Sequence, residues 1–595
     1  MSLTETVSVG RREAGPRFLA LLRPSREVLD DLAGKFRTDV LASAACELAL
    51  DSDRLTVAAL NHPAIRLGGR GTILGEMFRK DDGSRVTALT PEETAAILAS
   101  DLGELMKHYW GPYVAIVHDP ELGNTCVLRA PLGALPCLVV PVGEALAIAS
   151  DIGILRAHGL YAPSVDWNRV ALQLLHPDHV GTATCLHDLA EVRGGSMRIL
   201  TATQTRTVTK WSPAGLPLRP FAETAEEASE IVSRAARACI TARARRFDRV
   251  VLLLSGGVDS SIVAAALVEA GIKIDALTLT TRDALGDERD YARSVSSHLG
   301  LVLHERDRDV KRIEIARSTA TGLPRPAGRF MWQESMRHCS ELADATGAEA
   351  IFNGGGGDQV FCSLHSSNPV ADALRTFGPG RTAWHMAKTM SAITQVPVGT
   401  ITKDGLARAW LGKRSPRRTC DRSLLTGDFE DHEAEALLAL PPQACGLLPG
   451  QEAFCRLIAA GQSYIETLDP CGVPPIVAPL LSQPLVEACF RVPSWLWFGE
   501  GLNRYPARQA FAPDLPRHAI FRRSKGTPDS FTAEIFETWR KEVREILVRG
   551  ELARQGVIDL PAVLEVLDDP RPPRDNRFRR VLQFAEAEAW ASSWS

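Results

Sequence analysis

Residues 250–261 read Val250-Val251-Leu252-Leu253-Leu254, then Ser255-Gly256-Gly257-Val258-Asp259-Ser260-Ser261. The first five are a continuous apolar run, the signature of a strand covered on both faces. Residues 260–270 then place apolar side chains at helical spacing and stop at Gly271. Strand, glycine loop and helix in that order predict one unit of a parallel α/β sheet. Outward from it the alternation repeats. Residues 274–280 (IDALTLT) read as a strand, 291–299 as a helix and 301–304 as a strand. Residues 334–346 read as a longer helix and 350–353 as another strand. The pattern is that of a doubly wound parallel sheet.

The loop at 255–261 carries the chemistry. Ligands of such sheets bind beyond the carboxyl ends of the strands. Two glycines let the backbone approach an anion with no Cβ in the way. The N–H groups of the following helix, and its dipole, favour negative charge. Ser255, Ser260 and Ser261 add hydroxyl donors. Asp259 beside a phosphate calls for a cation between them, and a hard divalent ion, Mg²⁺, suits carboxylate and phosphate oxygens together. A second loop, Asn353-Gly354-Gly355-Gly356-Gly357-Asp358-Gln359, follows the strand ending at Phe352. Asp259 and Asp358 are therefore expected to flank one triphosphate and share Mg²⁺.

The rest of the chain divides around this unit. Residues 1–215 alternate short apolar runs with turn signals: 18–22, 113–117, 125–129, 138–142 and 145–149. They predict a β-rich domain of hairpins. Residues 213–221, with three prolines, read as a linker, and 222–595 as a second domain. A helix is expected from about 228 to 242. Residues 363–470 look mostly helical, with a basic loop at 413–422. The aromatic cluster Trp495, Trp497 and Phe498 reads as core. With 595 residues, 45% hydrophobic and 24% charged, the composition is that of a folded globular protein. Sixty-eight basic against 72 acidic residues give −4, which asks for neither a nucleic acid nor an anionic membrane as partner. Twelve scattered cysteines without a CxxC pair read as buried thiols of a cytoplasmic protein. No run is long enough for a membrane span.

The SGGVDSS string resembles the pyrophosphate loop (PP-loop) of the N-type ATP pyrophosphatases, which implies ATP cleavage between the α- and β-phosphates. A wider resemblance, to the asparagine synthetase family, covers most of the chain. Arg129-Ala130-Pro131-Leu132-Gly133 is similar to that family's RDPLG turn, and residues 149–152 to its ASEI segment. Residues 353–361 resemble its SGEGADELF loop, 479–487 its PFLDHRLVE segment, and Arg522-Arg523-Ser524-Lys525-Gly526 its RRxKxG segment. The resemblance implies an N-terminal glutaminase-like domain (Ntn-type, a β-rich sandwich) before a C-terminal PP-loop domain with helical additions. It implies ATP contacts from Leu253, Ser255, Gly256, Gly257, Asp259, Ser260, Ser261, Thr280, Gly354, Gly355 and Gly356. It further implies Mg²⁺ on Asp259 and Asp358, and Lys525 as a mobile cation beside the α-phosphate. Lys525 and Asp358 are the expected catalytic pair.

Two departures redirect the reading. A working glutaminase of this family has Cys directly after the initiator Met, and Ser2 stands here, so the first domain is expected to be a glutaminase relic. Asparagine synthetases carry Glu, and β-lactam synthetases Tyr, where this chain has Gly355. A glycine there is expected to leave room for a bulky substrate. With residues 482–487 (SQPLVE) and the NGGGGDQVF loop, the chain resembles the lasso peptide cyclases. That resemblance implies adenylation of an Asp or Glu side chain in a precursor core peptide, then attack by the peptide's N-terminal amine. It also implies a leader peptidase and a leader-recognition protein as partners. A β-lactam synthetase-like amide ligase acting on a small molecule, a non-catalytic partner subunit and a tRNA-modifying pyrophosphatase stay open as alternatives. Glu288 and Asp287 read first as helix N-terminal charges, then as Mg²⁺ or substrate contacts.

Overall fold

The computed structural model describes residues 15–24, 34, 38, 46–177, 182–201, 204–217, 222–281, 286–411, 420–427, 446–469, 471–472, 474–523, 526, 529–573 and 575–594. The alternating strands of the first region form two six-stranded antiparallel sheets. In one, Arg17–Leu22 lies between Leu55–Leu60 and Ala145–Ala149. In the other, Tyr113–Asp119 lies between Gly71–Gly75 and Asn124–Arg129. The period of two sorts the side chains. Phe18, Ala20, Val57, Ile116, Val127 and Ile148 fill the space between the sheets. Helices Pro91–Ala99 and Gly103–His108 cover the outer face of the second sheet through Ile97, Leu105 and Met106. The expected hairpin strands are all present, within two residues of the expected bounds.

The second region is built on five parallel strands: β1 (Arg249–Leu253), β2 (Lys273–Thr280), β3 (Val302–Asp307), β4 (Ala350–Phe352) and β5 (Ile476–Val477). Their order is β3-β2-β1-β4-β5. The chain winds one way from β1 to β3 and returns to the other side at β4, so β1 and β4 flank the switch point where such sheets bind ligands. β1 is sandwiched as its sequence predicts. Val250 and Leu252 join the core with helices α1 (Ala225–Ala244) and α2 (Val258–Glu269). Val251 turns to the opposite face, against Cys339, Leu342 and Ala343 of α4 (Met331–Thr346); α3 (Arg289–Leu299) joins β2 to β3. The short strand β5, among prolines, had no signal of its own. The expected linker is partly absorbed into the fold: Pro213–Gly215 is a 3-10 turn with Pro213 and Ala214 buried, and residues 218–221 lie outside the described ones.

The two regions share interior. Leu19, Leu21 and Ala58, on the outer face of the first sheet, belong to one core with Leu323, Phe531, Val543 and Trp590 from the far end of the chain. A buried charge network also crosses between them. Arg129 Nη1 donates to Glu191 (2.8 Å) and to Glu466 (3.0 Å), and Glu191 also receives Arg325. Against the cost of burial, Arg325 and Arg129 hold the Glu191 carboxyl below its ordinary range. Burial, with the nearby charge of Glu191, pushes Glu466 up. Among the described residues no disulfide is present, and no helix is long and apolar enough to cross a membrane.

Two stability predictions follow from these buried charges. Arg129 is 1% exposed, so Arg129→Ala removes the cation that Glu191 and Glu466 share and leaves Arg325 to serve both. Urea unfolding should show a loss of about 3–5 kcal/mol; a loss under about 1 kcal/mol contradicts the network's role. Glu586 accepts from Thr319 N (2.8 Å) and from the hydroxyls of Ser318 and Thr319, and burial pushes its carboxyl up to about 7 from 4.5. The native state then keeps a proton that the unfolded chain releases, so stability falls as pH rises from about 4.5 to about 7, by roughly 3 kcal/mol. Glu586→Gln should flatten that slope in pH-dependent unfolding; an unchanged slope contradicts it.

Candidate active site at the sheet switch point

β1 ends against its neighbour, with Leu254 N–H donating to Leu277 O at 2.9 Å. The chain then turns sharply at Gly256, whose φ is +67°. A Cβ there would lie 2.5 Å from the Tyr291 carbonyl carbon, so only glycine lets the loop pack on α3. Ser255 Oγ accepts from Gly257 N at 3.2 Å, and Ser260 Oγ donates to Gly257 O at 3.3 Å. Gly257 caps α2 without a side chain, so the first N–H groups of that helix face outward as an anion cradle.

The second loop interlocks with the first. A Cβ on Gly357 would sit 2.3 Å from Asp259 Cγ, and one on Gly354 would sit 2.6 Å from Ser260 N. This contact brings Asp358 beside Asp259. Arg504 Nη1 donates to Asp259 Oδ2 and to Asp358 Oδ1, each at 2.8 Å. Arg504 is nearly buried and precedes helix Tyr505–Phe511 with φ +56°, a left-handed conformation that costs a non-glycine residue roughly 1 kcal/mol or more. Burial works against its charge, but Asp259 and Asp358 outweigh it and raise the guanidinium pKa.

The residues fit Mg²⁺ held jointly with a nucleotide. Mg²⁺ takes one or two carboxylates and completes its shell with phosphate oxygens and water. Two carboxylates converge here, and no group of three or more His, Cys, Asp or Glu able to hold a metal occurs among the described residues. Further cations surround the loops. Arg522 pairs with Glu288 and lies 4.5 Å over the Tyr291 ring. Arg508 donates to the backbone oxygens of Asn503 (2.8 Å) and Arg522 (3.1 Å). Burial pushes both Arg508 and Arg308 down to about 10. These groups open into one cleft of about 1430 Å³.

Leu253, Ser255, Gly257, Asp259, Ser260, Gly354, Gly355, Gly356 and Asp358 all line that cleft. Other expected residues sit elsewhere. Thr280 spends its hydroxyl on Asp307 of β3, and Leu277, Thr278 and Leu279 line the cleft instead. Ser261 is buried in α2, and Gly256 serves the packing on α3. Glu288 does not cap its helix with its side chain; it receives Arg522 and the Gly526 N–H (3.0 Å) and lines the same cleft as the two aspartates. Asp287 pairs with Arg289. The room expected at Gly355 is absent, because Tyr464 fills it. Lys525 lies outside the described residues; its neighbours Arg523 and Gly526 line the cleft. Sequence reasoning missed Arg504, Arg508, Arg308 and Tyr464. Only Arg504 had a signal, the helix start marked by Pro506.

The family profile of asparagine synthase matches residues 232–439 and 476–592, more than half of the chain, and spans both glycine loops and Arg504. The chain belongs to the asparagine synthase family. It is an ATP-dependent carbon–nitrogen ligase. No curated protein matches it. Among solved structures it is similar to the allosteric regulatory enzyme of purine biosynthesis, at 10% identity over 49% of this chain and 75% of that one, with a TM-score of 0.20. It is also similar to the glutamine phosphoribosylpyrophosphate amidotransferase from B. subtilis complexed with ADP and GMP, at 10% identity over 57% and 90%, with a TM-score of 0.21.

Arg504→Gln should remove the guanidinium that Asp259 and Asp358 share. In Mg²⁺-free buffer the variant should lose about 3 kcal/mol, and MgCl₂ alone should raise its melting temperature by more than it raises that of the wild type. An identical response to MgCl₂ contradicts the shared carboxylate site.

Proposed function

We propose that this ligase closes a macrolactam: it activates an Asp or Glu side chain of a peptide with ATP and joins it to that peptide's N-terminal amine. The size of the cleft carries the reading. Pockets for small molecules run to about 300–1,000 Å³, and this one has about 1430 Å³. Beyond the loops its walls include Arg329, Trp332, Arg579 and Gln583.

On this reading the peptide carboxylate attacks the α-phosphorus and pyrophosphate leaves. Positioning and charge neutralisation do most of the work at phosphorus. Mg²⁺, when bound, neutralises phosphate charge between Asp259 and Asp358. Ser255, Gly257, Ser260 and the N-terminus of α2 hold the departing pyrophosphate, and Arg508 and Arg522 add positive field. Lys525 is assigned the α-phosphate. The amine nitrogen then bonds to the carbonyl carbon, the carbon–oxygen bond to AMP breaks, and the amine's proton passes to solvent. An α-amine titrates near ~8, so a useful fraction is neutral without a dedicated base. The first domain is read as a glutaminase-like, Ntn-type shell kept for its packing against the ligase. The resemblance to lasso peptide cyclases supports a leader peptidase and a leader-recognition protein as partners.

Incubation of the full-length protein with ATP, Mg²⁺ and synthetic linear peptides tests the reading, each peptide carrying a free N-terminus and an internal Asp or Glu. One AMP and one pyrophosphate should appear per peptide that loses one water, and the rate should rise with pH toward about 8. Turnover of free amino acids but of no peptide contradicts it.

A further inference from the structure

Position 355 carries no side chain, yet the space beside it is full. A Cβ there would lie 2.4 Å from Tyr464 Cε1, 2.5 Å from its hydroxyl oxygen and 2.7 Å from Asn353 Oδ1. The phenol therefore reaches into the second glycine loop, three residues before Asp358. It comes from the last turn of α5 (Pro449–Ile465). Asn353 Oδ1 is taken by the Gly355 N–H at 2.8 Å. The Asn353 side chain lies beside the Tyr464 hydroxyl and opposes the rise in its pKa. Both Asn353 and Tyr464 line the cleft.

The phenol is held in place from behind. Its ring stands edge-on to Trp332, with centroids 6.4 Å apart and planes at 83°. Two residues on, Glu466 fixes the helix end by accepting from Gln462 (2.8 Å) and Arg129 (3.0 Å). A donor needs this rigidity to stabilise charge that develops only in a transition state.

We propose that Tyr464 is a catalytic residue of amide formation, donating its O–H to the carbonyl oxygen of the acyl adenylate as the amine attacks. The inference rests on the acyl-adenylate chemistry above, but not on the substrate being a peptide. As the C–N bond forms, the carbonyl π electrons move onto oxygen, where Tyr464 meets them. They return as the bond to AMP breaks and AMP leaves with the electron pair. The amine's proton goes to solvent, and Tyr464 keeps its own throughout. Its surroundings favour that. Burial, opposed in part by Asn353, pushes the phenol up to about 12, so it stays protonated at neutral pH and serves as donor, not base.

Tyr464→Phe removes the hydroxyl and keeps the ring. Calorimetric titration of the full-length protein with glutamyl-5′-sulfamoyladenosine, a nonhydrolysable acyl-adenylate mimic, should show affinity weakened about tenfold or more in the variant. Affinity for AMP should stay within about twofold. On whichever carboxylate substrate the wild type converts best, amide formation should fall about 10²-fold, with pyrophosphate exchange retained. Equal affinity of wild type and variant for the mimic overturns the proposal, and so does a parallel loss of AMP binding. The mimic contains no peptide, so failure of the macrolactam reading leaves this result interpretable.

Discussion

Two carboxylates, Asp259 and Asp358, meet at a single guanidinium nitrogen of Arg504. Like charges held this close need a cation, and the fold provides for one. The switch in strand order sets the ends of β1 and β4 side by side, so both loops leave the sheet at the carboxyl ends of neighbouring strands. Glycines at 354 and 357 remove the side chains that would otherwise hold the loops apart. Without that approach the aspartates would face separate solvent, and neither could share an ion with the other. Arg504 fills the cation's role in the protein alone, and accepts a left-handed backbone to do so. On the proposed reading, the Mg²⁺ that accompanies a nucleotide would take these oxygens from Arg504.

The first region contributes to this site through packing. Its outer sheet face is covered by the chain's last helices, and Arg129 reaches Glu466 on the segment that ends α5. A second contact is polar too: Lys80 and Trp211 both donate to Glu487, at 2.8 and 2.9 Å. Lys80 loses some basicity to burial, which Glu487 offsets only in part. Such buried charges stabilise little on their own, but mispairing leaves them stranded, so they fix how the two regions meet. The position of Tyr464 depends on that fit.

What the sequence made legible was local. A run such as residues 250–254 declares a strand by composition, and a glycine loop before a helix declares an anion site by backbone chemistry. Both loops and both aspartates could be placed that way. The groups that complete the site come from far along the chain. Arg504 is 146 residues beyond Asp358, and Tyr464 more than 100 beyond Gly355, and no period or spacing links them. The same limit explains the errors. Thr280 and Leu279 both stand at a strand end, and only the pairing with Asp307 shows that Thr280 is already engaged. A glycine at 355 reads as open space until the neighbouring helix is seen to occupy it. Pro213 has the composition of a linker and the burial of a core residue.

Anomalous diffraction from a crystal holding Mn²⁺ and a nonhydrolysable ATP analogue is the most direct measurement of the shared site. The expected map has a manganese peak between Asp259 and Asp358, the triphosphate along the N-terminus of α2, and the Arg504 guanidinium moved off the carboxylates. A nucleotide bound elsewhere, or a metal touching neither aspartate, would contradict it.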